Sequence, residues 1–296
     1  MFKNLSTEAL GLSGCDSEVI SLALSHGFKG LDLDLVDFAE QVKSQGLARA
    51  SRLITSARLK IGSFALPVRW QEDIQQHKTD LEALPALAEI AAQIGCTRAT
   101  TVIEAASERR PYHENFEYHR HRLAEIADVL RPHQIRLGIG FLAPIACRGG
   151  RAFQFMQTFD EIVLLLRSVN GPNVGLALDT WHWHLGGGKL ESLRALSPDK
   201  IVTVSLADAD PDATAADAPL ESRRLNGATG VIDNGAVLAT LAEMGYDGPV
   251  TPAPDKSQLG GLSRDKIVKQ AGAALDQVWK AAGLNGAGRL AAVSGR

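Results

Sequence analysis

The feature that most constrains the fold is an alternation of two kinds of segment. Short apolar runs rich in Val, Ile and Leu are separated, about eight times along the chain, by longer stretches of helical period. Such runs are typical of strands buried on both faces, and regular alternation favours a parallel sheet covered by helices. Eight strand–helix units favour a closed barrel over an open sheet. Strands are predicted at residues 9–13, 30–35, 59–65, 98–104, 136–142, 174–179, 201–206 and 249–253, and helices at residues 16–26, 80–94, 115–130, 153–168, 234–244 and 264–282, the first with Asp16 as its N-cap.

The composition argues against several classes of protein. Of the 296 residues 45% are hydrophobic and 22% charged, and 31 basic against 34 acidic side chains leave a net charge of −3. Nucleic-acid-binding proteins usually carry a basic excess, so no such partner is expected. No apolar run reaches the roughly 18 residues of a membrane span, and MFKNLSTEAL lacks the pattern of a signal peptide. The chain has three cysteines, Cys15, Cys96 and Cys147, which cannot all pair in internal disulfides and are not spaced as metal ligands. We therefore expect a protein of the reducing cytoplasm.

The length is compatible with a single barrel domain. We expect one domain over residues 1–283 and a weakly structured tail, rich in Gly and Ala, over residues 284–296. Residues 208–222, rich in Asp, Ala and Pro, predict a long loop after the seventh strand, and in a barrel such a loop lies at the catalytic mouth.

The segment DTWHWH at residues 179–184 is the strongest candidate for chemistry. An apolar strand ends at Asp179, which places this carboxylate at the carboxyl end of the strand, and His182 follows three residues later. An Asp and a His at a barrel mouth suit metal binding, proton transfer or recognition of sugar hydroxyls. Trp181 and Trp183 then pack against a ring-shaped substrate, with His184 beside them. In the alternative interpretation, Asp179 caps a loop and the two Trp side chains seal the barrel.

Four motifs carry a resemblance to a known family: DTWHWH at 179–184, GYDGPV at 245–250, RRLNGATGVID at 223–233 and LGIGFLAP at 137–144. With them nearly the whole chain resembles the sugar phosphate isomerase/epimerase group of xylose isomerase-like barrels, which also includes inosose dehydratases, ketose 3-epimerases and endonuclease IV. The resemblance implies a (β/α)8 TIM barrel of the α/β class with a divalent metal at its mouth. In the family that metal is held by a Glu on strand five, an Asp on strand six, a His on strand seven and a Glu on strand eight.

This sequence keeps only one of those four metal ligands, Asp179. The other three positions hold residues without strong metal-binding groups: Gly140, Ser205 and Ala253. A hard divalent cation needs several converging oxygen or imidazole ligands, so no tightly bound cofactor is expected. The alternative is a weakly bound divalent metal held by Asp179, His182 and Asp208.

Other carboxylates are candidates for acid–base chemistry. Glu104 ends the predicted fourth strand, and burial near Phe141 or Trp181 would raise its pKa as a general acid or base requires. The alternative is a structural ion pair of Glu104 with Arg109, Arg110 or Arg148. Asp32 and Asp34 alternate along the second strand, so only one faces the lumen, and Asp32 matches an acidic position of the family.

Several residues are predicted to bind substrate. Arg223 falls where the family places an arginine that meets substrate oxygens, and a guanidinium suits phosphate, carboxylate or vicinal hydroxyl groups. The other predicted substrate contacts lie in loops after the strands: Arg69, Tyr112, His113, Trp181, His184 and Asp208. Asp255, after the last strand, is a candidate to compensate for the missing family glutamate.

Two functions remain open at this stage. The first is an isomerase, epimerase or lyase that acts on a sugar or polyol without a tightly bound metal, using Glu104, His182 and Asp179 as catalytic residues. The second is a catalytically inactive barrel that binds a sugar or another protein. The resemblance also implies a homo-oligomer as a possible assembly.

Overall fold

The computed structural model describes residues 1–291 and contains a closed barrel of eight parallel strands. Each strand pairs with the next in chain order, and the eighth pairs with the first. This confirms the predicted α/β fold class and the (β/α)8 barrel. The strands are β1 (Phe2–Leu5), β2 (Gly30–Leu33), β3 (Lys60–Ala65), β4 (Arg98–Val102), β5 (Arg136–Gly140), β6 (Val174–Asp179), β7 (Ile201–Asp208) and β8 (Pro249–Pro252).

Helices connect the successive strands, as parallel pairing requires. They are α1 (Asp16–Ser25), α2 (Leu35–Gln45), α3 (Leu47–Ala50), α4 (Arg52–Ala57), α5 (Ile74–Gln93), α6 (Tyr112–Leu130), α7 (Phe159–Val169), α8 (Thr180–Leu185), α9 (Leu190–Arg194), α10 (Asn234–Met244) and α11 (Arg264–Ala281). No helix within residues 1–291 is both long enough and apolar enough to cross a membrane.

The alternation of side chains along β6 shows how the sequence positions the mouth. Val174, Leu176 and Leu178 are almost fully buried and belong to the apolar core that also includes residues of the helices. Ala177 and Asp179 alternate with them and therefore face the lumen of the barrel. The last lumen-facing residue of this strand, Asp179, thus stands at the carboxyl end, where barrel enzymes carry their sites.

The predicted first strand is wrong. The strand is β1 (Phe2–Leu5), whereas residues 7–11 form a turn in which the Leu10 amide donates to the Ser6 carbonyl. Gly11 has a φ of +62°, a left-handed conformation that a strand does not accommodate. The N-cap of α1 is Cys15, without a side-chain hydrogen bond, and not Asp16.

Two loop assignments also differ from the prediction. The DTWHWH segment is not a loop: Asp179 caps the short helix α8 (Thr180–Leu185). The helix predicted at residues 153–168 begins only at Phe159, because Phe153–Gln154 pairs as a short antiparallel strand with Ala106–Ser107. Helices α2, α3, α4 and α9 also lack a predicted counterpart.

The described part of the C-terminal tail contacts the bottom of the barrel. Leu284 forms an antiparallel bridge with Leu290, and the N-terminal ammonium group of Met1 donates to the Gly288 carbonyl oxygen at 3.1 Å. The remainder of the predicted tail, residues 292–296, lies outside the described residues. The domain boundary at residue 283 stays a prediction.

Candidate functional site

The Asp179 carboxylate uses both of its oxygens at the barrel mouth. Oδ1 accepts hydrogen bonds from the backbone amides of Trp181 at 3.0 Å and His182 at 3.2 Å, which caps α8. Oδ2 accepts from Nη2 of Arg223 at 2.5 Å. Oδ1 is therefore the cap that one interpretation of the sequence predicts, although it caps a helix, and Oδ2 forms an ion pair with Arg223.

Two further hydrogen bonds hold Arg223 in place. Its side-chain Nε donates to the carbonyl oxygen of Ala253, directly after β8, and its backbone carbonyl oxygen accepts from the Asp255 amide at 2.9 Å. The guanidinium carbon lies 5.9 Å from the centroid of the Trp181 ring. Only 16% of the Arg223 side chain and 19% of the Asp179 side chain are exposed, so this pair lies largely outside bulk water.

The charges around Asp179 keep it ionised. Burial opposes its charge, but the Arg223 guanidinium and the backbone amide of His182 outweigh that effect, and the pKa of Asp179 is lowered. The carboxylate is therefore a fixed negative charge and a weak proton acceptor, which suits an orienting role better than that of a base.

His182 has a defined tautomer. The Ala143 amide donates to its Nδ1 at 3.2 Å, and because an amide can only donate, the ring proton belongs on Nε2. Burial lowers the pKa of His182 to about 4, against the opposing effect of Asp179. Nε2 makes no hydrogen bond within residues 1–291, so this neutral imidazole presents one N–H donor.

The two Trp side chains of the segment are buried. Trp181 is fully buried against Ala207, Ala209 and Ile232, and Trp183 belongs to the main core. Neither presents an open ring face, which favours the alternative interpretation in which they seal the barrel, and the predicted substrate contact of Trp181 stays a prediction. His184 is partly exposed, and burial lowers its pKa.

A row of polar side chains crosses the lumen from β6 to β2, and we call it the polar arc: Asp179, Ser205, Thr251, Asn4 and Asp32. Ser205 is in register with Asp179 on one side and with Thr251 on the other. Asn4 Nδ2 donates to Thr251 Oγ1 at 3.0 Å and to Asp32 Oδ1 at 2.9 Å. The arc places the two carboxylates, Asp179 and Asp32, in the same lumen on different strands.

Asp32 differs electrostatically from Asp179. Burial raises its pKa, although hydrogen bonds from Asn4 and Ser63 act in the opposite direction. Both of those bonds end on Oδ1, the one from Ser63 at 2.9 Å. Asp34, by contrast, faces outward and caps α2 through the amides of Val36 and Asp37.

Glu104 forms an ion pair with Arg151, a residue outside the polar arc. Its strand ends earlier than predicted, and its two oxygens accept from the two terminal nitrogens of Arg151, which lies between β5 and α7. This pair lines a cavity of about 250 Å³ together with residues such as Arg109, Arg110 and His119. Asp179, His182 and Arg223 are not among the residues that line this cavity, and within residues 1–291 the side-chain hydrogen bonds of Glu104 go to Arg151.

Tyr112 and His113 begin helix α6 near a second cavity. Tyr112 lines a space of about 370 Å³ with Ile145 and Gly186, and burial and the nearby Glu161 carboxylate raise its pKa. His113 is exposed. Arg69 points its side chain back to α5, where it binds Asp80 through Nε at 2.9 Å and lowers the pKa of that carboxyl to about 2.

Asp208 and Asp255 hold loops. Oδ2 of Asp208 accepts from the amides of Thr229 and Gly230, and Oδ1 from those of Ala209 and Ile232, at 2.8–3.0 Å. Burial opposes ionisation of Asp208, but these amides lower its pKa overall. Asp255 Oδ1 caps the following turn through the amide of Ser257 at 2.9 Å.

A comparison of the sequence with family models assigns the fold to a family. The model of the xylose isomerase-like TIM barrel matches residues 20–278. The chain belongs to this family.

Relatives and solved structures agree with the assignment to the xylose isomerase-like family. The inosose isomerase of Bacillus licheniformis is 22% identical over 253 residues, which cover 83% of this chain and 86% of that protein. The match to the inosose isomerase of Bacillus subtilis spans half of each protein at 26% identity. A xylose isomerase domain protein from Alicyclobacillus acidocaldarius has a TM-score of 0.85 at 22% identity, covering 95% of this chain and 99% of that chain. The IolI protein, whose structure contains a bound zinc atom, has a TM-score of 0.78 at 21% identity over 94% of this chain and 98% of that chain.

The metal that this family implies does not fit the groups at the mouth of this barrel. Within residues 1–291, no three His, Cys, Asp or Glu side chains converge so that they could hold a metal ion. The one retained family ligand, Asp179, already receives two amides and a guanidinium. A tight divalent site would require that Asp179 give up Arg223, and we therefore derive no step through a metal.

Sequence reasoning did not identify Asn4 or Arg151. The sequence prediction begins the first strand at residue 9, which leaves Asn4 outside it, and the position of Asn4 before the apolar Leu5 is the available signal. Arg151 lies 47 residues from Glu104, and no local pattern connects the two.

Proposed function

We propose that this chain binds a carbonyl-bearing sugar or polyol at the carboxyl-terminal mouth of the barrel and moves a proton on the carbon beside the carbonyl, as an isomerase or epimerase does. The observation that carries the proposal is the polar arc, which joins Asp179, beneath Arg223, to Asp32 in one lumen. The relationship to inosose isomerases supports a polyol ketone as the substrate class.

Asp32 is the proton acceptor in this proposal. A general base works best when its pKa lies close to the working pH, and burial shifts the pKa of Asp32 upward in that direction. Asn4 and Ser63 donate to Oδ1, and we assign the substrate proton to Oδ2.

His182 and Arg223 stabilise the negative charge that develops on the substrate oxygen. His182 is neutral and donates from Nε2, because its Nδ1 accepts from Ala143. Arg223 is held in place by Asp179 and adds a fixed positive charge. Preorganised donors in a site shielded from water are a large source of rate acceleration, commonly about 10²–10³ for a single donor.

Glu104 was the acid–base candidate of the sequence, and its role stays a prediction. Its pairing with Arg151 through both oxygens favours a structural role, whereas the hydrogen bonds from Asn4 and Ser63 to Asp32 end on the same oxygen, Oδ1. The variants Asp32→Asn and Glu104→Gln therefore distinguish the two assignments.

The test is deuterium exchange into a substrate, followed by NMR in D2O with EDTA present. Inosose and a ketohexose are the probes, and the matched control is Asp34→Asn, which keeps the cap of α2 outside the lumen. We expect exchange with the wild type and with Asp34→Asn, and a loss of about 10²–10⁴ with Asp32→Asn. Loss of exchange in Glu104→Gln with retention in Asp32→Asn would assign the base to Glu104. Absence of exchange in the wild type would contradict the proposed function, and binding without exchange would describe a sugar-binding module.

A further inference from the structure

We propose that the guanidinium of Arg223 takes the place of the divalent cation in this xylose isomerase-like barrel. The ligand oxygens that a metal would coordinate then bind the remaining N–H groups of Arg223. The part that concerns the cation stands on the contacts of Arg223 alone, and the part that concerns the ligand rests on the proposed function.

The contacts of Arg223 cover the strand ends where the family holds its metal. Nη2 donates to Asp179 at the end of β6, and Nε donates to the carbonyl of Ala253 directly after β8. Ser205 of β7 lies between them, in register with Asp179. One guanidinium therefore connects the ends of the sixth and eighth strands. On strands six, seven and eight the family carries three of its metal ligands, an Asp, a His and a Glu.

Charge and space both exclude a second cation while Arg223 stays there. The guanidinium, 2.5 Å from the Asp179 oxygen, already neutralises the Asp179 carboxylate, so a divalent ion beside this pair would find no uncompensated negative charge on Asp179. The oxygen that would bind the ion directly is the same Oδ2 that Arg223 occupies. Since 84% of the side chain is buried, Arg223 cannot leave for solvent without the loss of its packing and both hydrogen bonds.

Crowding of the backbone does not explain why position 140, on strand five, is a glycine and not the family's glutamate. A Cβ at Gly140 would meet Val102 Cγ2 at 3.4 Å and the Ala177 carbonyl oxygen at 3.6 Å, which are ordinary van der Waals contacts. Position 140 therefore has room for a Cβ, so crowding at this backbone position does not account for the glycine.

Arg223 retains N–H groups for a ligand. A guanidinium carries five N–H groups, of which Asp179 and Ala253 use two. No other side-chain hydrogen bond of Arg223 occurs within residues 1–291, so three remain. A guanidinium edge binds two adjacent oxygens with parallel hydrogen bonds, which matches the carbonyl and neighbouring hydroxyl of a ketose or inosose.

The first experiment measures Mn²⁺ binding by electron paramagnetic resonance on two rebuilt barrels. Both carry Gly140→Glu, Ser205→His and Ala253→Glu, and one of them also carries Arg223→Ala. We expect the barrel with Arg223→Ala to bind Mn²⁺ at least tenfold more tightly than the barrel that keeps Arg223, and the wild type to bind less than about 0.1 equivalent. Equal affinities in the two rebuilt barrels, or a full equivalent bound by the wild type, would overturn the proposal.

A second measurement keeps the proposal falsifiable if a rebuilt barrel does not fold. Binding of inosose to the wild type, Arg223→Met and Arg224→Met is measured by calorimetry with EDTA present. Arg224 is the matched control because it pairs with Asp210 and Gln258 in the adjacent loop. We expect at least a tenfold loss of affinity in Arg223→Met and no change in Arg224→Met. Unchanged affinity in Arg223→Met would overturn the ligand part, and absence of binding to the wild type would instead contradict the proposed function.

Discussion

His119 lies between Trp70 and Phe155 with 4% of its surface exposed, and its Nδ1 donates to the Asn115 carbonyl oxygen at 2.7 Å. Burial lowers its pKa to about 4, from 6.5 for a free side chain. Between these values the unfolded chain binds a proton that the folded chain does not, so the free energy of unfolding falls as the pH drops from 6.5 to 4. At about 1.4 kcal/mol per pKa unit, His119 accounts for about 3 kcal/mol of that loss.

The measurement is urea unfolding of the wild type and His119→Gln from pH 7.5 to 4.5. The difference between the two proteins should shrink towards low pH, because only the wild type loses the contribution of His119. A difference that stays constant over this range would show that His119 is not kept neutral by its burial.

The Asp208 carboxylate holds the loop at residues 229–232. Its carboxylate accepts four backbone hydrogen bonds, and hydrogen bonds to a charged group contribute about 1.5–3 kcal/mol each. In Asp208→Asn an amide NH₂ replaces one acceptor and faces backbone donors. We expect the free energy of unfolding to fall by about 3 kcal/mol. The exposed Asp212 in the preceding loop provides the control Asp212→Asn, and equal stabilities of the two variants would contradict the role given to Asp208.

At the scale of elements, the entrance to α7 is set by a reciprocal cap. Thr158 Oγ1 accepts from the Glu161 amide at 3.3 Å, and Glu161 Oε2 accepts from the Thr158 amide at 3.0 Å. This capping box fixes Phe159 as the first residue of the helix. Phe153 and Gln154 therefore lie outside the helix and pair as a strand. Thr158→Ala should lower the free energy of unfolding by about 1 kcal/mol.

The control for the capping box is Thr79→Ala. Thr79 is also exposed, but its hydroxyl only bonds to a carbonyl within α5. We expect a change below about 0.5 kcal/mol there, measured by the same urea unfolding. A larger effect at Thr79 than at Thr158 would show that the helix start is not fixed by this cap.

Elements with a continuous apolar pattern and clear ends could be predicted from the sequence. Strand β6 and helix α10 begin and end where they were predicted, because an Asp ends the apolar run of β6 and Gly245 ends α10 in a left-handed conformation. Strand β1 could not be placed, since its four residues mix Lys3 and Asn4 with apolar neighbours. Helix α8 was missed because its cap uses Asp179, a residue whose chemistry suggested a site.

At the scale of the whole molecule, the residues of the candidate site were only partly predictable. Asp179, His182 and Arg223 come together because strand order in a barrel fixes which loops are neighbours. Glu104 pairs with Arg151, which lies in the loop after the next strand, and no pattern in the sequence predicts this pair. The polar arc needed the register of five strands, which no local pattern supplies.

At the mouth of the barrel, the Arg223 guanidinium takes the place of the divalent cation that the family implies, and this is the central claim. The most direct measurement is an anomalous difference map at the manganese edge from crystals of the wild-type protein soaked in Mn²⁺. The account predicts no peak beside Asp179 Oδ2 and an Arg223 side chain still paired with that oxygen. A strong peak coordinated by Asp179, with Arg223 displaced, would contradict it.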